Sequence, residues 1–579
     1  MLRIFGFYGV SNSHKAFTSR MAQLFKVKNM FGQFTIFNQG YLFLIHEIFK
    51  KKEAENFSFI DKNNKKACFI VGNIYAHDNK SLKILTGENI AKMIISEYNK
   101  SSLSFVKYLR GVFNIIIVDK KQIFLINDNM GLSPMYIYRT DNGFFFCSEP
   151  EPIIWLNVNN RLDYNAIAKF ISYGFVPDGK TFISGLYNQA PGTILNFDGR
   201  KISNKKYINF KAMNINNMSE RGKIQFTKDI FNEAVQIRIN KNHRYIFSEL
   251  SGGWDTRFII ANLMSLNKKI IAYTVSGNNT DLNIAKKIAK KIKFGHIIQK
   301  QSMDMDSNER LFLDLTYRRE KTNEFISQHK NTCSLSFNRL VNLEFFISPR
   351  FTGLFGTEAF GYIPFWFSRS IKHNFIIRAS KIFTRNFLLK ALRNEGNIKT
   401  LRYFNESDNP IYLFLAHIGR AYLNVHHSLS WAKPPSFFSY RFLHPFADSK
   451  FISLLCAFEY EKYMHYNLYE KVFEKYYRSY FDIPWTYKFL RKKDTLRKLS
   501  STNNNTYPLN DRIYHDKKFI SFLKQNTIMK KNSEIFSKLK ELYFLFGWFN
   551  TYKTVLSHSD VHFLAGTIEQ GGRGSAGDF

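Results

Sequence analysis

Residues 245–266 read YIFSELSGGWDTRFIIANLMSL, and the fold turns on how this stretch is parsed. Its first six residues form a short buried strand, Ser251-Gly252-Gly253 a glycine turn, and the remainder carries apolar residues at helical spacing. Two further strand-sized runs follow, KIIAYTVS (269–276) and FGHIIQ (294–299), around a lysine-rich helix at 283–293. This alternation predicts the βαβ units of a parallel, doubly wound sheet. Upstream the rhythm differs. QIFLIND (122–128), GFFFCSE (143–149) and GTILNF (192–197) are β-branched and aromatic runs between Gly, Asn and Asp turns, as in stacked antiparallel sheets. Residues 86–109 add one helix on those sheets, and 380–550 read mainly as helix. The fold class is therefore α/β: an antiparallel β-rich sandwich over 1–205, a polar linker near 204–223, a parallel α/β domain over 220–555, and a Gly-rich tail at 556–579.

Composition narrows the classes without choosing among them. With 45% hydrophobic and 22% charged residues, the 579-residue chain is not disordered throughout. No run reaches the ~18 apolar residues of a membrane span. The first residues lack the layout of a secretory signal. Cys68, Cys147, Cys333 and Cys456 lie too far apart for a disulfide scaffold or a zinc site. A cytoplasmic protein is expected. Lys and Arg total 83 against 46 Asp and Glu, a formal net charge of +37, which attracts nucleic acid, anionic lipid head groups or acidic small molecules. The lysines are spread in short clusters, such as 50–52 and 286–293, in a chain also rich in Phe, Tyr, Asn and Ile. An AT-rich coding bias produces the same composition, so nucleic acid is not the expected partner.

Chemistry concentrates at Ser251-Gly252-Gly253-Trp254-Asp255-Thr256-Arg257. Adjacent glycines at a helix start expose consecutive N–H groups in a field that favours anions. Ser251 and Thr256 carry hydroxyls for phosphate oxygens, and Asp255 is placed to hold Mg²⁺. A plain glycine turn with a helix-capping aspartate accounts for the same residues equally well. No Walker motif is present.

Taken with the rest of the chain, SGGWDTR resembles the SGGxDS pyrophosphate loop of the ATP pyrophosphatase superfamily, and the whole resembles an asparagine synthetase. The collinear matches are Leu109-Arg110-Gly111-Val112-Phe113 with Val118-Asp119; Asp128–Tyr136, similar to DRxGxKPLYY; Phe146–Glu149, similar to FASE; Gly174–Pro177 with Ala190-Pro191-Gly192; Gly356–Tyr362, similar to GGDELFGGY; and His444–Asp448, similar to the PFLD segment. The resemblance implies an N-terminal domain of the N-terminal-nucleophile glutaminase type. It also implies a synthetase domain that uses ATP and Mg²⁺ to adenylate a carboxylate, releases pyrophosphate and forms an amide. In that scheme Ser251, Gly252, Gly253, Asp255 and Thr256 bind the nucleotide, with Asp255 on the metal. Glu358 orients or deprotonates the nucleophile, and a lysine steadies the breaking acyl–phosphate bond: Lys488, with Lys471 as competitor. Asp281 reads as a capping residue first and a metal or nucleotide contact second. His426-His427 has no metal-ligand spacing and reads as a surface or packing pair. The aromatic run 360–370 reads as core or as the wall of an acceptor pocket.

Departures from the family pattern are as informative. Position 2 is Leu2 where the glutaminase nucleophile would be Cys. The glutamine-binding NGExYN reads Val71-Gly72-Asn73-Ile74-Tyr75-Ala76, and the acidic residue expected near Thr86-Gly87-Glu88 is not in place. Glutamine hydrolysis is thus not expected, and the N-terminal domain reads as a scaffold. Thr357 replaces an aspartate of the family motif, with Leu354 and Phe355 before it. The acceptor stays open among aspartate (the asparagine-forming default), a sugar uronate, and a substrate that closes its own amide, as in macrolactam-forming peptide cyclases and β-lactam synthetases. The nucleophile is then ammonia or an amine. A non-catalytic basic binding protein that kept the fold is the alternative of another class.

Overall fold

The computed structural model describes residues 3–9, 33–38, 42–48, most of 57–299, 349–356 with 359, 442–458, 467–483 and 545. His426-His427, the 360–370 run, Cys333 and the tail lie outside these residues. In chain order the N-terminal half comprises β1 (Arg3–Gly9), β2 (Gln33–Asn38), β3 (Leu42–Ile48), β4 (Ser58–Asp61), β5 (Lys66–Asn79), β6 (Ser81–Ile84), α1 (Ile90–Ser101), β7 (Leu109–Asp119), β8 (Gln122–Asn127), β9 (Tyr136–Thr140), β10 (Gly143–Cys147), α2 (Glu151–Leu156), α3 (Tyr164–Tyr173), β11 (Leu186–Asn188), β12 (Thr193–Phe197) and β13 (Ile202–Lys206). The strands build two antiparallel sheets, β11-β9-β10-β1-β3-β2 and β13-β12-β8-β7-β5-β4, with β6 on β5. The helix expected over 86–109 is shorter: α1 gives way to a 3₁₀ segment at Ser102–Tyr108.

The two sheets stack because both present buried apolar residues to one shared core. Tyr8 meets Phe197 edge-on at 4.5 Å and Phe37 meets Phe69 at 5.3 Å, each pair bridging the sheets. In β7 the run Val112–Val118 is buried on both faces. The alternation that marks a half-exposed strand is therefore absent from NIIIV.

The second half runs α4 (Glu220–Gln236), β14 (Ile246–Glu249), α5 (Trp254–Ser265), β15 (Ile270–Val275), α6 (Asn279–Ile292), β16 (Gly295–Gln299), β17 (Arg350–Phe351), β18 (Phe442–Leu443), α7 (Ser449–Leu455), α8 (Asn467–Tyr476) and α9 (Arg478–Phe481). Its sheet order is β16-β15-β14-β17-β18, and each neighbouring pair is parallel. Strand order reverses at β14, so the crevice beyond that strand's carboxyl end is where an open α/β sheet places ligands. Within the polar stretch read as linker, β13 ends at Lys206 and Ser219 caps α4 by accepting from Gly222 N–H at 3.1 Å.

The halves are joined through the core. Tyr75, Ala76, Val112, Met130 and Leu132 belong to one apolar cluster with Phe231, Phe258, Phe446 and Phe451 of the second half. At its edge Asp448, fully buried, accepts from Arg110 Nη2 at 2.7 Å and from Arg238 Nη1 at 3.0 Å. The same carboxylate caps α7, accepting from Lys450 N–H at 3.1 Å. Burial pushes the Asp448 carboxyl up, but the two guanidiniums outweigh it and hold the group down at about 2. Glu233 pairs with both Arg110 and Lys450, extending the network to α4.

Candidate functional site

The glycine turn stands at the reversal point. β14 ends at Glu249 and α5 starts at Trp254, so residues 250–253 turn across the carboxyl edge of the central strand. The turn is closed by its own side chains. Ser251 N–H donates to Thr256 Oγ1 at 2.9 Å, the two hydroxyl oxygens are 3.1 Å apart, and Gly253 N–H donates to Ser251 Oγ at 3.1 Å. The five residues expected to bind nucleotide are thus gathered in one turn.

Trp254, Asp255 and Arg257 all reach the α8–α9 pair. The Trp254 ring is buried and lies 5.7 Å from Phe473 and 6.0 Å from both Tyr469 and Phe481. Asp255 Oδ1 accepts from the Tyr469 hydroxyl at 2.9 Å. Arg257, fully buried, donates to the carbonyls of Gly252, Tyr480 and Ile483.

From the other side the segment after β17 presses on the turn. A Cβ at Gly356 would stand 2.5–2.6 Å from the Asp255 side chain, and one at Gly353 would stand 2.9–3.1 Å from Thr256 and Asp255. Glycine is required at Gly356 for contact, not for backbone conformation. Between them the buried Phe355 takes φ 71°, a left-handed backbone that bulky residues seldom adopt. Glu249 ties the same segment to the sheet: Oε1 accepts from Tyr273 at 2.8 Å and Oε2 from Thr352 at 2.6 Å. Burial raises the Glu249 carboxyl, and these hydroxyls, with Arg350, offset part of that rise.

Thr357, Glu358 and Lys488 lie outside the described residues. Lys471 pairs with Glu220 of α4 at the surface. Asp281 sits in the first turn of α6, half-buried. Sequence reasoning missed Tyr469, Arg257 and Glu249. Glu249 was open to notice, a carboxylate immediately before the turn, whereas Tyr469 follows Asp255 by 214 residues and no local pattern connects them.

Magnesium is usually held by one or two carboxylates plus substrate phosphates and waters. Among the described residues no group of three or more His, Cys, Asp or Glu forms a metal site. Asp255, half-buried at the mouth of the turn with Oδ1 fixed by Tyr469, supplies one carboxylate, the minimum such an ion needs when it arrives with a nucleotide.

In the N-terminal half, Asn73 to Ala76 continue β5 in register with β7, with an irregularity between Ile74 and Ala76. Arg238 of the second half stacks on Tyr75 at 4.8 Å. Asp128, in the DNMGLSPMY turn, accepts from the N–H groups of Met130, Leu132 and Ser133. Burial raises this carboxyl to about 6 despite those donors.

Residues 48–208 match the family model described as a glutamine amidotransferase domain. The chain is 27% identical over 186 residues to a putative glutamine-hydrolyzing asparagine synthetase of Methanocaldococcus jannaschii, covering 31% of this chain and 36% of the relative. It is 22% identical over 228 residues to glutamine-hydrolyzing asparagine synthetase 1 of Bacillus subtilis, covering 38% and 35%. These matches span about a third of each relative's length. Among solved structures, glutamine phosphoribosylpyrophosphate amidotransferase of B. subtilis with ADP and GMP aligns at TM-score 0.25 and 10% identity, over 51% of this chain and 65% of that one. Over residues 48–208 the chain thus matches a glutamine amidotransferase domain, and over about a third of its length it is similar to glutamine-hydrolyzing asparagine synthetases.

Proposed function

We propose that the chain is an ATP-dependent, amide-forming ligase whose second half adenylates a carboxylate. One observation carries the reading: a hydroxyl-lined glycine turn at the switch point of a parallel sheet, with Asp255 held between Tyr469 and Gly356. In the proposed reaction a substrate carboxylate oxygen attacks the α-phosphorus of ATP and the α–β phosphoanhydride bond breaks. Pyrophosphate then leaves with the electron pair. An amine or ammonia next attacks the acyl carbon, loses a proton, and AMP departs.

Within this reaction the N-terminus of α5 and the turn's N–H groups receive the leaving pyrophosphate. Ser251 Oγ presently holds the Gly253 N–H, so gripping an oxygen there requires the serine hydroxyl to rotate away. Asp255 would hold magnesium, which when bound screens the phosphate charge. Thr256 keeps Ser251 in place while its own hydroxyl faces the turn. Glu358 and Lys488 keep their proposed roles toward the nucleophile and the acyl–phosphate bond. Residues 1–205 serve as a scaffold, because Asn73 and Ala76 replace the glutamine-binding Glu and Asn, and free ammonia or a substrate amine is the nucleophile. Aspartate, sugar uronates and substrates carrying their own amine are the candidate acceptors.

The test is pyrophosphate release from Mg·ATP with a panel of these carboxylates, each with ammonia or glutamine. The expected outcome is release with one acceptor, supported by ammonia and not by glutamine, and reduced at least 100-fold in Asp255→Ala, the scale on which losing a transition-state contact acts. Release that survives Asp255→Ala unchanged rejects the site. Basic-protein behaviour, with salt-sensitive nucleic-acid binding and no nucleotide affinity, rejects the ligase.

A further inference from the structure

Arg257 is the largest fully buried side chain among the described residues, and it is charged. It extends from the first turn of α5, three residues past the start of the helix that carries Asp255. Its Nη2 donates to the carbonyl of Gly252, inside the phosphate turn, at 3.1 Å. Its Nη1 donates in the opposite direction, to Tyr480 at 2.9 Å and Ile483 at 2.6 Å. Burial lowers this guanidinium to about 10, so it stays protonated at neutral pH. A planar fork with donors fixed on two nitrogens is suited to bridging two backbone segments, and an ammonium point charge is not.

The bridge joins an irregular turn to a short helix. The turn at 250–253 is tied to β15 at Leu250, whose N–H donates to the Tyr273 carbonyl at 2.9 Å and whose carbonyl accepts from Thr274 Oγ1 at 2.7 Å, and beyond Leu250 it is held by its own hydroxyls. α9 is four residues long, with Tyr480, Phe481 and Asp482 N–H bonded only one turn back to Tyr477 and Arg478. The carbonyls of Tyr480 and Ile483 point out of that turn to Arg257. We infer that Arg257 is a positioning residue that clamps the phosphate turn to the α8–α9 pair, so that Gly252, Asp255 and Ile483 are held as one unit. This inference rests on the proposed ATP chemistry for its functional consequence and on the three carbonyl contacts for its mechanical one.

Arg257→Lys and Arg257→Met in the full chain test this in two ways. Hydrogen exchange of the Tyr480, Phe481 and Asp482 amides is expected to quicken by about tenfold or more in both variants, the scale of losing a hydrogen bond to a charged group. Exchange at Ile94 and Ile95 of α1, in the other half, should stay as in the wild type. In pyrophosphate release, both variants are expected to raise the KM for Mg·ATP about tenfold while kcat at saturation changes by less than threefold. A general loss of fold would not produce that split. Rescue by Arg257→Lys, with wild-type KM and exchange, overturns the clamp and leaves charge alone as the arginine's role. Unchanged exchange in either variant overturns it as well. Should Arg257→Met not fold, the lysine variant decides by itself. If the wild-type chain releases no pyrophosphate, the ligase reading fails and the exchange data still judge the clamp.

Discussion

Asp255 depends on a hydroxyl 214 residues further along the chain. A carboxylate at a helix start can swing between capping its own N–H groups and facing a ligand, and the Tyr469 bond at 2.9 Å chooses one position. Tyr469 is itself fully buried among Trp254, Phe258 and Phe473, so its ring cannot follow a displaced carboxylate. Tyr469→Phe keeps the ring and removes the donor. It should raise the KM for Mg·ATP severalfold, and the cost in stability should be about 1 kcal/mol, the net worth of one neutral-donor hydrogen bond. Equal KM values in titrations of pyrophosphate release would show that Asp255 does not need the tyrosine. The position of Ser251 and Asp255 at a strand–helix junction was legible in the sequence, because a glycine turn between an apolar run and a helical pattern marks that junction. Tyr469 was not, because its role comes from long-range packing and its local text, NLYEKVFEKY, is that of any amphipathic helix.

At the scale of elements, the site is a meeting of two turns, one after β14 and one after β17. Contact between them is so close that a methyl group at Gly356 would occupy the Asp255 carboxyl. Gly356→Ala should therefore displace Asp255 and suppress pyrophosphate release as far as Asp255→Ala does, while circular dichroism and the melting transition show a folded chain. A variant that retains wild-type release would mean the two turns separate in solution. The parallel sheet was readable from strand–turn–helix text, since each strand there is short, apolar and bounded by turn residues. Its order was not. Adjacent β17 and β18, two residues each, are too brief to carry a period, and only tertiary pairing makes them strands.

For the molecule as a whole, the buried network around Asp448 sets an acid limit. Its carboxyl lies near 2 in the folded chain against an ordinary 3.8, so the stabilisation it gives is complete above about pH 4 and is lost as pH falls through 2. That difference amounts to roughly 2 kcal/mol. Asp128 acts in the opposite sense: raised to about 6, it favours the folded chain as pH drops from 6 towards 4. In urea unfolding, Asp448→Asn should cost about 3–5 kcal/mol at pH 6, as expected for breaking a buried pair, and its deficit should shrink between pH 4 and 2. A deficit independent of pH would place the stabilisation elsewhere.

Arg110 belongs to the N-terminal half and Asp448 and Arg238 to the second. Cutting the chain between them would strand a buried acid with half its counter-charge and uncover the apolar faces of Val112, Met130 and Phe231. The first half thus has a mechanical tie to the second, whatever chemistry it carries: a deletion that removes it should leave the second half unable to fold by itself, which expression of residues 209–579 would check. Through Arg110 the neighbouring half is held by charge as well as by apolar contact.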